Sequence, residues 1–289
     1  MLRAVNLSKK FEKSYAVENL CFNVKRGDVF GFIGSNGAGK TTTMRMLVML
    51  LKPTSGQIYI EGLEAVPDNY VKLKSQIGFM PQNTRFNENL EPCEVIRFFC
   101  NLRGCDSKKH IDLFREIQGD MSKKAKYLSP GQQKKLQIVL ALTGSPEILI
   151  LDEPTAGLDP AGVNEFRDIV KDLRSNGHTI FISSHNLKEL DNLCNSVAII
   201  HKGRILFAGE YRNAFEIETE SDLSKDCERK LMTIAGGKCR LDGNRIIACL
   251  ERKEIPGFIK NLAAFNIPVY GVKEQSIEVL YNDIIKGAV

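Results

Sequence analysis

The chain has 289 residues, 43% of them apolar and 26% charged, with a net charge of +5; that length suffices for one large domain with a generous core plus a small appendage. These proportions exclude disordered, collagenous and disulfide-scaffold classes, and a mild charge spread along the chain gives no reason to expect nucleic acid as a partner. The eight cysteines form no C-x-x-C pair and no Cys/His cluster at zinc spacing, so they read as free thiols of a reducing compartment.

Met1 to Ala4 lacks the apolar stretch of a signal peptide, and the longest apolar run, Met46 to Leu51, is far short of a membrane span. A soluble chain is expected, with any membrane role coming through a partner. Val29–Ile33 predicts a strand, Thr41–Leu51 a helix and Ile58–Ile60 another strand. From about Leu90 to Tyr127 the spacing of Val95, Ile96 and Phe99 is helical, charges are frequent and no strong strand occurs, which predicts a helical insertion. A strand at Ile148–Leu151, a helix at Phe166–Ser175 and strands at Thr179–Ile182 and Val197–Ile200 follow. Apolar runs without alternation belong to strands covered on both faces, and their alternation with helices argues for an α/β core.

Around Glu216–Asp226 the sequence turns acidic and polar, as a linker would. Beyond it, Arg245–Leu250 and Ile267–Val272 predict strands and Pro256–Phe265 a helix. A last helix is expected from Ser276 as N-cap, with Ile277, Leu280, Tyr281, Ile284 and Ile285 in one apolar stripe. This tail reads as a small α+β domain.

Chemistry concentrates at two places. Gly34-Ser35-Asn36-Gly37-Ala38-Gly39-Lys40-Thr41 fits G-x-x-x-x-G-K-S/T between a predicted strand and a predicted helix. Glycines let the backbone wrap phosphates closely, and N–H groups at a helix start point at the anion. Lys40 is expected on the β- and γ-phosphates and the Thr41 hydroxyl on Mg²⁺. Downstream, four apolar residues run into Asp152-Glu153, at the sheet edge where ligands of open α/β folds bind. Consecutive strand residues face opposite ways, so the acids should divide the work. Asp152 is assigned to Mg²⁺ through water and Glu153 to the attacking water as proton acceptor.

These residues resemble the ATP-binding subunits of ABC transporters over about residues 1–210. Leu128-Ser129-Pro130-Gly131-Gln132-Gln133 looks like the family signature L-S-G-G-Q, and Gln82 stands at the Q-loop position. Thr155-Ala156-Gly157-Leu158-Asp159 resembles the D-loop, and His185 the switch histidine. The resemblance implies ATP and Mg²⁺ as cofactors and a catalytic set of Lys40, Gln82, Glu153 and His185, with Gln82 joining Thr41 and Asp152 at the metal. It implies a head-to-tail dimer, homomeric or heteromeric, in which Ser129 and Gly131 contact the γ-phosphate held by the other subunit. Thr42, Gln132 and Asp159 join the phosphate loop among the implied ATP-binding residues, and Phe11 falls where the family stacks an aromatic on adenine.

One position departs from the pattern. Pro130 replaces a signature glycine and removes an N–H. Ser129 as N-cap, Pro130 at the first helical position and Gln132 behind them nevertheless make a sound helix start, so weakened rather than abolished binding is expected.

The implied architecture is a P-loop ABC ATPase domain over 1–215 with a helical subdomain at about 88–144, a linker over 216–228 and a C-terminal α+β accessory or dimerisation domain over 229–289. Thr41–Leu47, Thr155–Pro160 and Ser276–Tyr281 are similar to ABC-2 exporter ATPases. That implies a membrane permease on a separate chain, docked at the helical insertion where Leu90, Val95, Phe98 and Phe99 are candidates to line the groove, and a place on the cytoplasmic face of the cell membrane. The alternative is a non-transport ABC ATPase that remodels a soluble complex. Such proteins normally carry two nucleotide domains, and no second phosphate loop is found.

Overall fold

The computed structural model describes all residues except 85, 87–88, 192, 212–213, 220–238, 243, 251–252, 266, 276 and 289. The chain divides into two units, Met1–Gly209 and Glu210–Val289.

The first unit opens with β1 (Leu2–Phe11) and β2 (Ser14–Val24), an antiparallel pair that β4 (Ser55–Ile60) and β5 (Leu63–Glu64) extend into a four-stranded sheet of order β2-β1-β4-β5. Between them lie β3 (Val29–Ile33) and α1 (Lys40–Leu47). Next come α2 (Tyr70–Ser75), β6 (Ile77–Met80) and the insertion helices α3 (Pro92–Arg103), α4 (Ser107–Glu116) and α5 (Pro130–Ala141). The unit continues through β7 (Ile148–Asp152), α6 (Pro160–Ser175), β8 (Thr179–Ser184), α7 (Leu187–Leu190), β9 (Ser196–His201) and β10 (Arg204–Glu210). The second sheet has the order β10-β9-β3-β8-β7-β6, with β9, β3, β8, β7 and β6 paired in parallel.

Every residue of β3, β7 and β8 is buried, as their unbroken apolar runs require. Phe22 of the antiparallel sheet reaches Phe30, Phe32 and Phe181 with ring centroids 5.7–5.8 Å apart, so the two sheets share one core. Parallel register sets Ile33 beside Ser184 and Asp152 beside Ser183. The phosphate loop, the acid pair and His185 therefore leave the sheet at the same edge.

Two boundaries move. α1 stops at Leu47 rather than Leu51, with Met49 in a left-handed conformation (φ 57). α6 starts at Pro160 rather than Phe166, because the Asp159 carboxylate accepts from Gly162 N (2.8 Å) and Pro160 suits the first turn.

The second unit contains β11 (Ala214–Thr219), β12 (Cys239–Asp242), β13 (Arg245–Cys249), α8 (Ile255–Ala264), β14 (Val269–Gln275) and α9 (Ile277–Ala288). Its sheet has the order β12-β13-β11-β14, antiparallel throughout, and Phe215, Ile217, Ile246, Phe258 and Leu262 lie in its core. The boundary between units thus falls at 209/210 rather than after 215, and Glu216–Thr219 are strand rather than linker. Phe215 and Ile217 point inward while Glu216 and Glu218 do not, so a period of two lay inside the acidic composition. The rest of the expected linker, 220–228, and the Ser276 cap lie outside the described residues. Among the described residues, no helix is long and apolar enough to cross a membrane.

Candidate nucleotide site

Gly37 (φ 78) and Gly39 (φ 108) take left-handed conformations in the loop between β3 and α1. A Cβ on Gly39 would sit 2.5 Å from Val17 Cγ1 and 2.7 Å from Ala16 O, and one on Gly34 would strike the Ile200 carbonyl. Glycine is required at both positions. Lys40, in the first turn of α1, is buried and donates to Gly34 O (2.7 Å) and Ser35 O (3.1 Å). Asn36, Gly37, Gly39, Lys40, Thr41, Thr42, Gln82 and Glu153 line an open cleft of ≈ 330 Å³ together with Ala16. Ser35 and Ala38 complete the loop, and Ala38 N donates to Ser35 O (3.2 Å).

The acids divide as the strand geometry requires. Asp152 Oδ1 accepts from the Ser183 hydroxyl (2.6 Å), and the same oxygen of Ser183 accepts from Glu153 N (2.9 Å). Glu153 turns away at φ 47, leaving the strand for a tight bend. Its Oε2 lies 2.8 Å from His185 Nδ1 and its Oε1 3.2 Å from Lys40 Nζ. The second contact lacks hydrogen-bond alignment and is a meeting of charges. Lys40 and Glu153 are 6% and 5% exposed, whereas His185 is 47% exposed and can face a ligand from outside.

Lys134 on α5 is a further cation that the sequence did not mark. Its buried ammonium donates to Gln82 O (3.1 Å). Burial pushes its pKa down, while the charges of Asp152 and Glu153 push it back up. Two other ties were equally invisible. The Thr155 hydroxyl donates to Glu189 Oε2, and Arg167 Nε donates to the Glu189 carbonyl (3.0 Å), which links the loop after β7 to α6 and α7.

Ser129 caps α5 by accepting from Gln132 N (3.3 Å), with Pro130 at the first helical position. The Gln132 side chain does not return to the Ser129 amide as a full capping box would. It donates to Gln118 O (2.9 Å) and accepts from Asp120 N (2.7 Å). The Asp159 carboxylate caps α6. Ser129, Gly131, Gln132, Asp159 and Phe11 do not line the phosphate-loop cleft of their own chain. Phe11 is 46% exposed beneath the Lys9 ammonium, 5.2 Å from its ring centre, so it is not a core residue. On the insertion, Val95 is buried and Leu90 half-buried, while Phe98 and Phe99 are exposed and meet edge to face with centroids 5.7 Å apart.

The fold and the glycine loop with its lysine and paired acids define a P-loop nucleotide-binding protein. A family model described as ABC transporter matches residues 17–156. The bacitracin transport ATP-binding protein BcrA of Bacillus licheniformis is 42% identical over 71% of this chain and 68% of its own. The lantibiotic transport ATP-binding protein SrtF of Streptococcus pyogenes is 36% identical over 75% and 94%. A solved ATP-binding cassette, a dimer in a post-hydrolysis state with ADP and phosphate, superposes with a TM-score of 0.67 at 24% identity, over 73% of this chain and 99% of that one. The chain belongs to the family of ABC transporter ATP-binding proteins, and it is an ATP-binding, ATP-hydrolysing transporter subunit.

Proposed function

We propose that this subunit drives an ABC-2 type exporter through a permease on a separate chain, working as a pair of cassettes at the cytoplasmic face of the membrane. The observation that carries the hydrolytic part is the chain Lys40–Glu153–His185, with contacts of 3.2 and 2.8 Å. Glu153 accepts the proton of the attacking water, held in place by His185, which also reaches the γ-phosphate. Lys40 and the loop amides neutralise the β- and γ-phosphates.

The oxygen donors at the cleft suit Mg²⁺. Thr41 and Gln82 line it, and one carboxylate oxygen of Asp152 accepts from Ser183. Thr41 and Gln82 would hold the ion directly and Asp152 through water. Bound there, it would neutralise negative charge on the phosphates.

Ser129 and Gly131 of each copy close the other copy's nucleotide. Their absence from their own cleft supports this reading, as does the exposure of the Ser129 helix start. Phe11 stacks on adenine, and the exposed Phe98–Phe99 face receives the permease. The names of the two relatives, for bacitracin and lantibiotic transport, support a peptide antibiotic as cargo.

Glu153→Gln tests the chemistry. It is expected to bind ATP, to turn over about 10²–10⁴-fold more slowly and to accumulate as an ATP-bound dimer on size exclusion. Near-normal turnover would remove Glu153 from its role. Cargo is tested separately, by purifying the complex from detergent-solubilised membranes and measuring ATPase activity with bacitracin. A rate indifferent to the peptide argues against that cargo.

A further inference from the structure

We propose that Cys100, Cys105 and His110 form a site for a soft cation of the Zn²⁺ type, with a fourth coordination position left to water. One ligand atom from each of the three lies within 4.8 Å of the other two. Read along the sequence, the spacing C-x₄-C-x₄-H matched no zinc pattern; the fold brings the three together.

The reason is local. α3 ends at Arg103, Gly104 turns the chain in a left-handed conformation (φ 63), and Cys105 N returns to Cys100 O at 3.0 Å. That closure sets both thiols at one helix end. Asp106 then caps α4 and places His110 in the helix's opening turn. The two ring nitrogens of His110 lie 3.0 Å from Asp106 O and 3.2 Å from Leu142 O. A neutral imidazole has one N–H, so it can donate to only one of these carbonyls, and the nitrogen that takes the ion would have to leave the other. The carbonyl contact it kept would then anchor the ring, as on metal-bound histidines.

Two thiols and an imidazole select Zn²⁺ or Cu⁺ over Mg²⁺, so the site would not compete for the ion of the nucleotide cleft. Zn–S and Zn–N bonds of about 2.3 and 2.0–2.1 Å require the three ligands to draw in. Cys105 is half-buried and marks the way in, since Cys100 and His110 are buried. The ion would fasten the end of α3 to the start of α4.

The test uses the untagged full chain, reduced and stripped of metal, titrated with Co²⁺ in excess Mg²⁺. Expected are thiolate-to-cobalt charge-transfer absorption and strong tetrahedral d–d bands that saturate at about one equivalent and vanish on adding Zn²⁺. Cys105→Ala should weaken binding at least about tenfold, and Zn²⁺ should raise the Tm of the wild type but not of this variant. His110→Gln should behave likewise. Should that buried change prevent folding, the half-buried Cys105 position decides alone. Cys21→Ala, at an exposed thiol, should leave the spectrum intact. A wild type without charge-transfer bands, as two thiols merely completing a helix end would give, overturns the proposal. So does an unchanged spectrum in Cys105→Ala.

Discussion

Ser183 holds both acids of the nucleotide site on one hydroxyl, giving its proton to Asp152 and taking the amide proton of Glu153. Removing it leaves a buried carboxylate short of a donor and a buried N–H without its acceptor. Ser183→Ala is therefore expected to lower unfolding free energy by about 1–3 kcal/mol, measured by urea denaturation, and to slow turnover by misplacing Glu153. A variant as stable and as fast as the wild type would show that Ser183 is a bystander. At this scale the sequence announced the residues of the phosphate-loop cleft, because phosphate chemistry dictates contiguous types: glycines, then Lys40, then Thr41. It could not announce Ser183, Lys134 or the Thr155–Glu189 tie. These join residues 30 or more positions apart, and their types are ordinary in strands and helices.

Among the elements, α5 bears on the Pro130 question. The Ser129 cap is made and Pro130 sits where its missing N–H is not needed by the helix. The substitution costs the helix nothing and removes only an amide that could face phosphate. Pro130→Gly should thus leave the steady-state ATPase rate equal or higher, and a large fall would contradict the reading. Elements with one strong signal were legible, such as the buried runs of β3, β7 and β8. β1 and β2 were not, because register shifts interrupt their alternation and Asn6 (φ 48) and Asn19 (φ 52) take left-handed conformations inside the strands. α6 was found late because its start is set by Asp159 and Pro160 rather than by apolar period.

For the whole molecule, the residues proposed for nucleotide fall into two groups, and only one of them lines the phosphate-loop cleft of its own chain. If two copies complete each site, activity must depend on encounter. ATPase activity per chain should fall on dilution and recover on concentration, whereas a rate proportional to protein at every dilution would mean that single chains suffice. The second unit has its own antiparallel sheet and apolar core. Its helices and the strands β13 and β14 were legible from apolar spacing; β11 hid in an acidic stretch, and β12 was not foreseen.

The grip of Gln132 has a mechanical consequence. Its amide clasps Gln118 and Asp120 just beyond α4 while its backbone belongs to the first turn of α5. The tip that presents Ser129 is therefore tied to the chain just beyond α4. Were a partner to press on Phe98 and Phe99, the core that α3 shares with α4 and α5 would carry the load toward that tip.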